Sequence, residues 1–154
     1  MKKLFLILLV VLVSGCEKAE VVKFNDSIQG TWSLTTNKFE YFDEDNQKDF
    51  EDMLSEDEVF KEITFYRDVR AQLLFNDGES LISTYDLFKQ GELAYVEFGD
   101  LTVFDTQVFE ITNSSSSMMI WKVKFTDIKY ENVETGETKV APYAILTLHL
   151  KKID

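Results

Sequence analysis

From Ile28 to the C-terminus, apolar and polar residues alternate with period two, the spacing of half-buried β-strands, and long stretches of helical period are few. In "TWSLT", Trp32 and Leu34 share one face and Thr31, Ser33 and Thr35 the other. "VFKEITFYRD" puts Val59, Ile63 and Phe65 on one face around Lys61, and "VRAQLLFNDG" groups Val69, Ala71, Leu73 and Phe75 before a tight turn at Asn76-Asp77-Gly78. "SLISTYDLF" follows and turns at Gln90-Gly91; "ELAYVEF" follows and turns at Gly99-Asp100. "TVFDTQVFEIT" leads into the polar run Ser114 to Ser117. "MMIWKVKFTDI" then sets Met119, Trp121, Val123 and Phe125 on one face, before a turn at Glu134-Thr135-Gly136-Glu137. In the last strand, "YAILTLHLKK", Ala144, Leu146, Leu148 and Leu150 oppose Tyr143, Ile145, Thr147 and His149, and Pro142 stands at its start, where a missing amide proton is tolerated.

Eight candidate strands result, nearly all joined by short connections. The long connection is the first, Asn37 to Glu58, where ten acidic residues accompany Lys38 and Lys48. Within it Phe50, Met53 and Leu54 stand at i, i+3 and i+4, the spacing of one helix face, so a short helix is expected, N-capped by Asp45 or Asn46. Its apolar stripe would make it a lid over the end of the sheet. Successive antiparallel strands leave exposed edges unless the sheet closes on itself. The fold expected is therefore all-β, an eight-stranded antiparallel up-and-down barrel over residues 28–154 with a short helix in the first connection; a sandwich is the alternative. Such a barrel is just wide enough to be filled by side chains or to hold one small ligand.

The beginning of the chain follows another pattern. Lys2 and Lys3 precede ten apolar residues, Leu4 to Val13, too few for the roughly twenty that a membrane-spanning helix needs. A basic start and a short apolar run are the pattern of a secretory signal. Val13, Ser14 and Gly15 precede Cys16, the sole cysteine, and this stretch resembles a bacterial lipobox. The resemblance implies removal of residues 1–15, acylation of the Cys16 thiol, and a lipidated tether over residues 16–27. Two or more acyl chains give stable membrane anchoring.

Gly30-Thr31-Trp32 at the start of the first strand matches the Gly-x-Trp motif of lipocalins. With the lipobox, "IQGTWSL", "LLFNDGE" and "FEITNSSSSMMI", the chain resembles small lipocalin-like lipoproteins of the Bacteroidetes type. That resemblance implies a barrel closed at its base by Trp32, and a cell-envelope location, lipid-anchored in the outer membrane of a Gram-negative bacterium. No arginine lies near the last strand to pack on Trp32; Lys151 or Lys152 would take that place.

Charge narrows the partners. With 16 basic and 28 acidic residues the net charge is −12, and loss of Lys2 and Lys3 makes it more negative. Nucleic acid, which needs basic patches, is a poor partner. A cationic envelope protein fits better. Chemistry for catalysis is sparse: His149 is the sole histidine, no serine sits in a Gly-x-Ser-x-Gly elbow, and zinc lacks ligands. Asp43, Asp45 and Asp49 suggest a calcium loop, but its glycine would fall at Lys48 and its bidentate glutamate at Leu54. The reading is of a non-enzyme without metal or cofactor. Trp32, Phe65, Phe75, Tyr85, Phe98, Phe109 and Trp121 are the candidates to line an interior pocket for a small apolar ligand, and Phe50, Met53 and Leu54 the candidate lid. The alternative is a filled barrel that uses its acidic face to engage another envelope protein.

Overall fold

The computed structural model describes residues 24–56, 58–99, 106–133 and 135–154. Cys16, the lipobox and the segment read as a signal lie outside the described residues, as do Asp100, the first residues of "TVFDTQVFEIT" and Glu134.

A helical turn, α1, over residues 24–28 precedes nine strands. These are β1 (Gly30–Phe42), β2 (Lys48–Asp52), β3 (Phe60–Phe65), β4 (Arg70–Phe75), β5 (Ser80–Gln90), β6 (Leu93–Phe98), β7 (Val108–Ser114), β8 (Met118–Asn132) and β9 (Glu137–Lys152). Each of β3 to β8 pairs antiparallel with the next, and β1 pairs with both β3 and β9. Eight strands thereby close into an up-and-down barrel, as the period-two pattern and short turns require. Ile28 on α1 is fully buried and Phe24 packs against the core, so the folded part begins inside the segment read as a tether.

The first connection differs from the expectation. Among the described residues no helix forms there: β1 runs on to Phe42 and folds back through a turn into β2, a strand beyond the eight expected. Turn chemistry explains this. Asn46 takes a left-handed φ of 60°, and an Asp43 carboxylate oxygen accepts from the Asp45 and Gln47 amides at 3.0 and 2.8 Å. Asp45 and Asn46 are therefore turn residues and cap no helix. Phe50 then falls opposite Tyr41 across the ladder, and the two rings lie 6.0 Å apart. A cross-strand aromatic pair wins over a helical stripe of three residues.

Three smaller departures share one cause, a local break in alternation. Register shifts between Phe60 and Glu62, which lets Lys61 point to solvent and brings Phe60 inward beside Ile63 and Phe65. Val69, expected inward, has φ 59° in the turn before β4 and is exposed. On β8, Asp127 (φ 56°) inverts the alternation, so that Phe125 and Ile128 both pack against the core.

The inward faces of the closed strands supply one core, which includes Ile63, Leu73, Val96, Met119, Leu146 and Leu148. Beyond the ring, β2, β1, β9 and β8 continue as a curled four-stranded flap. It carries its own aromatic stack: Tyr41 lies 4.2 Å from Tyr130, and Phe50 lies 5.7 Å from Tyr130.

Candidate functional site

Trp32 closes the barrel base. Its ring is fully buried, its indole Nε1 donates to the Ile28 carbonyl at 2.7 Å, and Lys152 Nζ lies 5.3 Å from the ring centroid. Of the two lysines expected against Trp32, it is Lys152 that lies there, directly opposite Trp32 in the β1–β9 register. Gly30 has φ 107°, and a Cβ there would come within 2.5 Å of the Asp154 carbonyl oxygen, so the base needs glycine at this position. Tyr85 belongs to the same end: its hydroxyl donates to Asn25 Oδ1 at 2.8 Å and accepts from Gln29 Nε2 at 2.9 Å, which ties α1 to β5.

Above the base the interior is occupied by rings. Trp121 is central, with Phe109 at 5.2 Å, Phe98 at 6.0 Å, and Phe60 and Phe65 each at 6.1 Å between centroids. Phe65 meets Tyr85 edge-on at 4.9 Å. Of the seven predicted interior residues, six are buried. The seventh, Phe75, is half-buried and helps line a surface hollow with Glu56, Asn76 and Leu81. Phe60, which the bulge turns inward, joins the cluster although its place next to Val59 hid it from a strict alternation. Trp121 Nε1 is buried among these rings and has no hydrogen-bond partner among the described residues.

The barrel wall has a break. On the side of β1 away from β9, β3 pairs with Gly30–Ser33 and β2 pairs with Phe39–Phe42; among the described residues no strand pairs with the stretch between. This seam is bridged by side chains. Asn37 Nδ2 donates to the Leu54 carbonyl at 3.3 Å and Asn37 Oδ1 accepts from the Leu54 amide at 2.7 Å, two bonds that replace a missing strand. Asn76 Nδ2 donates to the Glu56 carbonyl at 2.7 Å. Ser55 donates from both its amide and its hydroxyl to the Glu58 carboxylate, which is held below its usual pKa by those bonds.

A groove of about 300 Å³ runs along the seam, and its apolar lining is Leu34, Leu54, Val59 and Phe60. It adjoins a more open hollow of about 560 Å³ with which it shares Thr36, Asn37 and Met53, and which His149 borders from β9. The three predicted lid residues therefore separate. Leu54 packs against the core at the seam, Met53 is 69% exposed at its lip, and Phe50 belongs to the flap. Asn37→Ala is expected to cost about 1–3 kcal/mol, since it strips both partners from Leu54. Hydrogen exchange at the Leu54 amide should speed up well before that of the β8–β9 amides.

The acidic residues weighed for calcium serve other ends. Asp43 shapes the turn, whereas Asp49 accepts from the Tyr130 hydroxyl and pairs with Lys139 at 3.1 Å. Hydrogen bonds from Tyr130 and then Lys139 hold the Asp49 carboxyl below its ordinary value. Burial first, then the bond to Asp49, pushes the Tyr130 phenol up to about 12. A depressed carboxylate stabilises the fold above its unfolded value of about 4 and loses that contribution as pH falls through the folded one. Acidification below about pH 4 should therefore loosen the flap first, read as broadening of the Tyr130 ring resonances, and Asp49→Asn should remove this pH dependence. Among the described residues no group of three or more His, Cys, Asp or Glu side chains is gathered to hold a metal ion.

No family model matches the sequence, and no curated protein matches it significantly. A similar solved structure is described as EF1p2_mFAP2b bound to DFHBI. It is 15% identical, with a TM-score of 0.33, and the match covers 82% of this chain and 94% of that one.

Proposed function

We propose that the chain is a lipid-anchored, lipocalin-like protein of the cell envelope, held through Cys16 in the outer membrane of a Gram-negative bacterium, whose barrel takes up a small apolar ligand without catalysing a reaction. The observation that carries this reading is the seam. The wall of a barrel built only as a scaffold gains nothing from a gap, yet here the apolar side chain of Leu54 stops one that leads to Phe60 and through it to the Trp121 cluster. The ligand would reach the interior through the side of the barrel, since Trp32 closes the base.

A second reading is favoured by the ring packing itself. Phe60, Phe65, Phe98 and Phe109 surround Trp121 closely enough to fill the barrel. In that case the acidic exterior would engage a cationic envelope protein and the interior would bind nothing. Equilibrium titration of an apolar fluorescent probe into the soluble domain separates the two readings. Saturable one-to-one binding supports uptake; fluorescence that rises only in proportion to probe concentration supports the filled scaffold.

A further inference from the structure

We infer that the ligand is a neutral, mostly apolar molecule with one hydrogen-bond acceptor, a carbonyl or ether oxygen, and that Trp121 Nε1 is the donor that receives it. This inference rests on the uptake reading above and adds the chemistry of the occupant. Both tryptophans are fully buried, but they are treated differently by the fold. Trp32 Nε1 donates to the Ile28 carbonyl, whereas Trp121 Nε1, at the centre of the aromatic cluster, donates to no group among the described residues. A buried donor left without a partner costs about 1–3 kcal/mol, and native folds leave few of them.

Three kinds of occupant could answer that donor, and the surroundings choose among them. Water needs two to four polar partners in a buried site. Among the described residues the rings nearest Trp121, those of Phe60, Phe65, Phe98 and Phe109, are all hydrocarbon and offer none. A carboxylate would bring an uncompensated charge into the same rings, which burial strongly disfavours. A neutral oxygen on an apolar frame satisfies the indole and buries its remaining surface against phenyl groups. The seam sets the size. Its groove of about 300 Å³ lies at the low end of the range for small-molecule pockets, and Phe60 is both part of its lining and a neighbour of Trp121. A small molecule that displaces Leu54 and turns Phe60 aside would present its oxygen to the indole.

A matched pair of probes tests this: acetophenone, which carries a carbonyl, and isopropylbenzene, which has nearly the same shape and no acceptor. Each is titrated into the uniformly ¹⁵N-labelled soluble domain, and the two indole N–H signals are followed, with Trp121→Phe used to assign them. The expected result is saturable binding of both probes, a downfield move of the Trp121 indole proton with acetophenone alone, and an unmoved Trp32 signal. Trp121→Phe should weaken acetophenone by about fivefold relative to isopropylbenzene, the factor for one neutral hydrogen bond. Should Trp121→Phe fail to fold, Trp32→Phe assigns the two signals instead, and the Trp121 indole signal of the wild type decides. Binding of both probes with the Trp121 proton unmoved, as when a phenyl face already receives the N–H, overturns this inference and leaves the uptake reading standing. Binding of neither probe overturns both.

Discussion

Trp32→Ala is expected to destabilise the domain by about 3–5 kcal/mol, the range for removing a large buried aromatic. Three losses coincide: a ring that is fully buried, the 2.7 Å bond from its indole to the Ile28 carbonyl, and the contact with Lys152. Trp32→Phe keeps most of the apolar surface and loses the hydrogen bond, so it should cost clearly less. Urea denaturation of both variants checks the ranking, with the midpoint of the alanine variant far below that of the phenylalanine variant. Equal midpoints for Trp32→Ala and the wild type would mean that Trp32 does not close the base.

Cys16→Ser is expected to abolish membrane anchoring outright and to leave an unprocessed precursor. In the lipobox reading the thiol is the acceptor for the lipid, and a hydroxyl does not replace it. Metabolic labelling with a fatty acid followed by fractionation of the envelope reads the outcome. Label still entering the serine variant would refute the anchor, and with it the envelope location, while leaving the barrel untouched.

The barrel was legible in the sequence because its physical cause is local. Period-two alternation fixes which side chains face inward, and short turns such as Asn76-Asp77-Gly78 fix which strands are neighbours, with Gly78 at φ 89° as a tight hairpin needs. Six of the seven interior candidates, Trp32 among them, were legible for the same reason, except that alternation says which face a residue takes and not how far along the strand the core extends, which is why Phe75 ends at the rim. The first connection differs because Phe50, Met53 and Leu54 fit a helical stripe, whereas the deciding contacts are Phe50 on Tyr41 across a hairpin and Phe50 on Tyr130, which is far away in sequence. Phe60 was hidden by a bulge, since one extra residue inverts every assignment beyond it. Asn37 could not be picked out at all. Its role depends on β2 and β3 stopping short of each other along β1, and that gap exists only in three dimensions.

In the uptake reading a ligand passes through the seam beside Leu54, and the association rate of an apolar fluorescent probe reports on that passage. Stopped-flow mixing of the probe with the wild-type domain, Leu54→Ala and Leu54→Trp isolates the step at the wall, because Leu54 borders the groove and lies outside the ring cluster around Trp121. Passage at the seam predicts association several-fold faster for the alanine variant and several-fold slower for the tryptophan variant, with all three domains folded by circular dichroism. Identical association rates for the three proteins would contradict it.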